Sequence, residues 1–232
     1  MTAVLKVLSA GAVKRGVTRV CAAFERDTGA KVEVEFTQAP LLRQRVAAGE
    51  SVDVIVATSS AMDEFAAQGK ITPATRALLG RSRVGVVVHK DAPSPDVSDT
   101  EAFKRTLTAA NTVMHNSASS GIYVATLLEK LGLKAVLGSK IVVTKSGSAV
   151  METVAAHGVG AVGLAQISEI MVMVNKGCAV KLAAPLPDEI QNMTTYHAAA
   201  SASTGSAESA AALARALTSD AAKKLFAATG ID

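Results

Sequence analysis

The sequence predicts an α/β protein of two lobes, each built on a mixed, mostly parallel sheet flanked by helices. Three observations lead there. Short apolar runs alternate with segments whose apolar residues recur at helical spacing. Two segments rich in Pro and Asp, Lys90 to Asp99 and Pro185 to Met193, bracket the middle of the chain. Five strand-to-helix turns carry small, polar or glycine residues. Alternation of this kind produces parallel sheets, and two crossings suit one lobe made from residues 1–90 with 192–232 and another from 91–191. Hinges are then expected near Lys90 and Met193. Ligands in such folds bind beyond the C-terminal ends of strands, which places a ligand cleft between the lobes.

Taken in order, Val4 to Leu8 is a short apolar run ending in Ser9-Ala10-Gly11-Ala12. Val13, Val17, Val20, Cys21 and Phe24 then share one helical face until Gly29 stops the helix. Val32 to Phe36 alternates as a strand does, and Pro40 fits the first turn of a helix reaching Gly49. Asp53 to Ala57 is a buried-strand run, with a helix following through Phe65. Ile71 to Leu79 reads as a turn and a short helix, and Val84 to Val88 as the next strand. Ser98 followed by Glu101 predicts a capping box for a helix through Leu107. Thr112 to His115 is a strand, Ser117 to Gly121 a tight hydroxyl-rich turn, and a helix runs from it through Leu131. A short helix, Leu133 to Leu137, precedes the strand Ile141 to Val143. Ser146-Gly147-Ser148 opens a helix bearing Val150, Met151 and Val154, Ala161 to Leu164 is a strand, and Gln166 starts a helix through Met173. Val180 to Ala183 and Thr194 to Ala199 are strands, and two Ala-rich helices, Ala207 to Leu217 and Ala221 to Ala227, close the chain.

Composition excludes several function classes. With 49% hydrophobic and 19% charged residues the chain is globular and well packed. The absence of Trp, and only two Tyr and five Phe, argue against stacking on nucleobases or sugars. The net charge of +4 is spread over pairs such as Lys14-Arg15 and never forms a nucleic-acid footprint, so it favours small anions instead. No apolar run reaches the roughly 18 to 20 residues of a membrane helix, and no membrane insertion is expected. Cys21 and Cys178 read as buried small hydrophobes. The four histidines lack ligand spacing, so neither metal nor cofactor is implied. Gly158-x-Gly160-x-x-Gly163 matches a dinucleotide fingerprint by letter but follows a helix and enters a strand, the reverse of the required context.

The chemistry is concentrated in the five turns: Ser9 to Ala12, Thr37 to Pro40, Ser117 to Gly121, Ser146 to Ser148, and Ala165 to Ser168. A helix start leaves unpaired N–H donors and a partial positive charge, so hydroxyls and glycine there suit the oxygens of an anion. Ordinary N-capping, by Ser119 or Ser120 in the third turn, explains each turn separately. Repetition is what favours a ligand.

These residues resemble a known family. Val-Leu-Ser-Ala-Gly-Ala at the start, Val-Asp-Val-Ile-Val-Ala at Val52 to Ala57, Ser-Ser-Gly-Ile-Tyr at Ser119 to Tyr123 and Leu-Glu-Lys-Leu-Gly-Leu at Leu128 to Leu133 are similar to the molybdate-binding branch of type 2 periplasmic binding proteins. The resemblance covers nearly the whole chain and implies a two-lobed fold closing on a small anion by hinge motion. Carried over by position, it places oxyanion contacts near Ser9, Gly11 and Ala12, on Gln38 or Ala39, on Ser119 or Ser120 with Gly121, on Gly147 and Ser148, and near Ala165 or Gln166. Two departures point away from molybdate. Thr37-Gln38-Ala39-Pro40 replaces the family's Gly-Ser-Ser-Gly, and Ala165-Gln166 stands where molybdate binders place a tyrosine. A lost donor at a buried oxyanion costs roughly 1 to 3 kcal/mol, and Ala for Tyr enlarges the pocket. The expected ligand is therefore a larger organic anion, a carboxylate.

The same superfamily includes aconitate isomerase, and the resemblance implies an isomerase of di- or tricarboxylates as the alternative. Proton movement needs an acid and a base within reach of one carbon. His115, Tyr123 and Lys145 are the candidates, with His197 as a further one and Lys14 or Arg15 to pair a carboxylate. Ordinary core packing or solvation accounts for each as well. A cytoplasmic ligand sensor is a third reading. No secretory leader precedes the first strand, so the chain is read as cytoplasmic if Met1 is native and periplasmic if a leader was removed. An ABC-transporter permease is the implied partner in the second case, and a monomer or weak dimer is expected.

Overall fold

The computed structural model describes residues 4–232 apart from the side chain of Ser119. In chain order the first elements are β1 (Val4–Ala10), a 3₁₀ turn (Gly11–Val13), α1 (Lys14–Thr28), β2 (Lys31–Thr37), α2 (Ala39–Ala47), β3 (Val54–Thr58) and α3 (Ser59–Ala67). A 3₁₀ turn (Pro73–Thr75), β4 (Ala77–His89), α4 (Thr100–Ala109), β5 (Thr112–Asn116), α5 (Ser119–Lys130), α6 (Leu133–Leu137) and β6 (Ile141–Thr144) follow. The chain finishes with α7 (Gly147–His157), β7 (Ala161–Gln166), α8 (Ile167–Asn175), β8 (Val180–Pro185), β9 (Met193–Ala200), α9 (Ala207–Leu217) and α10 (Asp220–Ala227). Among the described residues no helix is long and apolar enough to cross a membrane.

Some expectations about the elements needed correction. The strand expected at Val84 to Val88 begins at Ala77, because Arg81, Ser82 and Arg83 interrupt the apolar run within it, and the residues read as a short helix up to Leu79 give only the 3₁₀ turn Pro73–Thr75 before it. The helix cap expected at Ser98 lies one residue later: the Asp99 carboxylate accepts from Ala102 N–H at 2.7 Å, while Ser98 N–H donates to Asp96.

The chain divides into two compact units, Met1–Arg81 with Thr194–Asp232, and Ser82–Met193, so that the first division falls inside β4. In the first unit the strand order is β2–β1–β3–β9. β1 pairs parallel with β2 and β3, and β3 pairs antiparallel with β9. Its core gathers Leu5, Val7 and Leu8 of β1, Val17 and Val20 of α1, Phe65 of α3, and Leu213 and Phe226 of the last two helices.

In the second unit the order is β8–β4–β7–β5–β6. β7, β5 and β6 are mutually parallel, while β4 runs antiparallel to both β7 and β8. Side chains alternate across a strand, and this sheet fills two cores accordingly. Val84, Val86, Val88, Val113 and Leu164 face Phe103, Leu107 and Leu128 on one side. Val87, Met114 and Ala165 face Val150, Val154 and Ile170 on the other.

Candidate functional site

Each unit brings its predicted turns to one end of its own sheet. In the first unit β1, β2 and β3 are parallel, with Ala10 opposite Thr37 and Ser9 opposite Val56, so their C-terminal ends lie together. Ser9 is fully buried, and its hydroxyl donates to the Ala10 carbonyl at 3.2 Å. Gly11 and Ala12 form the 3₁₀ turn, and a Cβ at Gly11 would lie 3.7 Å from the Thr37 carbonyl, so the first two predicted turns are neighbours. Gln38 is the N-cap of α2 and makes no side-chain cap bond, and Ala39 is its first residue. Lys14, at the start of α1, lies 5.3 Å from the centroid of the Phe36 ring. It is the cation nearest these turns in sequence.

Beside them stands a group that sequence reasoning left in part. Thr58 caps α3 through Ala61 N–H, and Ser59 shares a hydrogen bond of 3.1 Å with His197 Nδ1. Burial, followed by the nearby Arg76 guanidinium, holds the His197 imidazole below its ordinary value, while Asp63 acts in the opposite direction.

In the second unit Asn116 and Thr144 are register partners, and β7 lies on the other side of β5, so three parallel strands again end together. Helices α5, α7 and α8 start from those ends. The organising side chain is Asn116, 1% exposed, a residue the sequence analysis gave no role. Its Oδ1 accepts from Ala118 N–H at 2.8 Å and Gly121 N–H at 3.2 Å, and its Nδ2 donates to Ser120 Oγ at 3.2 Å. Neither serine is the N-cap of α5. That position is Ala118, which has no side-chain cap. Gly121 has to be glycine, since a Cβ there would lie 1.6 Å from the Asn116 carbonyl oxygen. The turn is thereby locked with Ser120 buried at the helix start, and the side chain of Ser119 lies outside the described residues.

Ser146 caps α7 through Ala149 N–H and pairs with the exposed Ser148 hydroxyl at 3.1 Å. Gly147 is buried in the first turn. Gln166 is the N-cap of α8, also without a side-chain cap, and its Oε1 accepts at 3.5 Å from Ser82, which also lies 3.4 Å from Ser168 Oγ. Ser82 is a second residue that the sequence reading missed.

The proton-transfer candidates are distributed as follows. His115 is 5% exposed, and its Nδ1 lies 2.9 Å from the Asn116 carbonyl oxygen. The Tyr123 hydroxyl donates to the Ile190 carbonyl at 2.8 Å, and burial pushes it above the ordinary phenol value. Lys145 is exposed in the turn before α7. His115 and Tyr123 therefore each have a bond within the fold. Cys21 is buried, with its thiol pushed up to about 12, and Cys178 is half-buried.

Parallel strands that deliver helix N-termini and small polar side chains to one sheet end form an arrangement suited to holding a small anion. The family model for bacterial extracellular solute-binding proteins matches residues 5–232, and the chain belongs to that family. A curated relative, an aconitate isomerase from Pseudomonas sp., is 30% identical over 240 residues, covering 98% of this chain and 87% of the relative. Among solved structures, a substrate-binding domain from Clostridium difficile has a TM-score of 0.81 at 19% identity, covering 99% of this chain and 98% of its own. The periplasmic molybdate-binding protein of Azotobacter vinelandii has a TM-score of 0.73 at 18% identity, with 98% of each chain covered. At those identities the structural matches establish the shared fold.

Proposed function

We propose that the protein is a solute-binding protein whose ligand is a small organic carboxylate held by N-terminal helix donors. The observation that carries this reading is the turn at Asn116. One buried side chain takes up the Ala118 and Gly121 amides and orients Ser120, so a helix start is rigidly built without a side-chain cap of its own. The Ala118 and Gly121 amides are used within the turn, and the Ser119 and Ser120 amides at the start of α5 are left as the donors that an anion can take up without a fully paired cation. Ala165-Gln166 in place of a tyrosine and the Gln38-Ala39 turn favour a carboxylate larger than molybdate, and the curated relative is named for a tricarboxylate. An ABC-transporter permease is the partner this reading implies for an exported chain.

The 30% identity to an aconitate isomerase favours a second reading, isomerisation of a di- or tricarboxylate. In that reading His115, Tyr123 and Lys145 remain the candidates to move the proton. Two measurements discriminate between them. Calorimetry against molybdate, sulfate, citrate and both aconitate isomers gives at least one tight binder under either reading, and a panel with none refutes both. Proton NMR of cis- and trans-aconitate in deuterium oxide shows interconversion or exchange only if the protein is an isomerase.

A further inference from the structure

Glu169 lies in the first turn of α8, and its carboxylate packs against the first residue of α7. A Cβ built on Gly147 would lie 2.0 Å from Glu169 Oε2 and 2.6 Å from Oε1. Only the missing side chain of Gly147 lets the carboxylate reach the helix end where first-turn amides point outward. Despite that position, Oε2 is buried and has no hydrogen-bond partner. An ionised carboxylate left in this state is costly, whereas a carboxylic acid has an O–H to give.

We propose that Glu169 is a specificity-determining residue of the second unit's anion-binding end: as a carboxylic acid it donates a hydrogen bond to an oxygen of the ligand, so that anion binding takes up a proton. This rests on the carboxylate-binding reading above. An anion arriving at α7 would meet a like charge in a poorly solvated place if Glu169 were ionised, and protonation turns that repulsion into a donor. The site thereby selects anions that present an acceptor oxygen here. Other titratable groups on the surrounding elements are Glu152 and His157 of α7, Lys181 of β8, Arg83 and His89 of β4, Lys145 before α7 and Cys178 before β8. Burial pushes the Glu169 carboxyl above its ordinary value.

The test has two arms. Carbon-13 NMR of the free protein, with the Glu169 carboxyl assigned through E169Q, should give a midpoint above the ordinary glutamate value of about 4.3. A midpoint at or below it overturns the proposal. Calorimetry with trans-aconitate and molybdate as probes, in imidazole and in Tris, should show uptake of one proton and an affinity that falls about tenfold per pH unit above that midpoint. E169Q should still bind, without the proton uptake or the pH slope. Binding without uptake at a pH well above that midpoint, or a slope unchanged in E169Q, overturns the role of Glu169 and leaves the anion reading standing. Failure of both probes and of every carboxylate in the panel overturns the anion reading and this inference with it.

Discussion

Asn116 offers the sharpest perturbation because one side chain supports a whole helix start. Asn116→Ala removes the acceptor of the Ala118 and Gly121 amides and the donor to Ser120. At about 1 kcal/mol for each of the two amide bonds, the loss is about 2 kcal/mol. For a chain of this size that lowers the melting temperature by roughly 4 to 8 °C. Asn116→Asp separates structure from binding. Aspartate keeps both acceptor bonds, the Ser120 hydroxyl can donate to it, and a negative charge suits a helix N-terminus. Its melting temperature should therefore stay near that of the wild type. A bound anion, however, would face a new like charge. At about 5 Å and an effective dielectric of about 20 the repulsion is about 3 kcal/mol, a loss of affinity on the order of a hundredfold. Differential scanning calorimetry reads the first effect and isothermal titration the second. An Ala variant that melts like the wild type, or an Asp variant that binds the anion as tightly, would refute the reasoning.

Other perturbations test separate parts of the structure. Gly16→Ala puts a Cβ 2.0 Å from the ring of Phe226, which is 1% exposed, so denaturant unfolding should show a loss of about 1 to 3 kcal/mol from overpacking. His197 is held below its ordinary value in the folded state, so the stability it contributes is present above the unfolded value of about 6.5 and lost as pH falls through the folded value. His197→Gln should flatten the stability profile in that window, and an unchanged profile would remove this role. Tyr123→Phe deletes the bond to the Ile190 carbonyl and should cost about 1 kcal/mol in chemical denaturation with ligand affinity unchanged. A large fall in affinity or turnover would instead give the hydroxyl a direct role.

Much of this fold could be read from the chain because its signals were local. Buried parallel strands such as Val54–Thr58 are apolar on both faces, and the helices between them carry clear periodicity. β4 was misread in its first half because polar residues such as Arg81 and Arg83 occupy alternate positions, so it never forms a continuous apolar run. The candidate site was legible as turns but not as side-chain roles. Serines drew attention at Ser117 to Ser120, yet the residue that organises them is the asparagine just before, whose tendency to bond amides two and more residues ahead was the available signal. Glu169 gave no such signal. An acidic residue in a first helical turn ordinarily reads as a solvated complement to the dipole, and only folding brings Gly147 against it.

The claim that helix-start amides hold a small anion is tested most directly by amide NMR. A nitrogen-15 labelled sample would be titrated with the carboxylate that calorimetry identifies as the tightest binder. The account predicts that the largest shifts fall on Gly11, Ala12, Ala39, Ser120, Gly147 and Ile167, the amides at the strand-to-helix turns. Shifts confined to residues away from these turns, with those six unmoved at saturation, would contradict it.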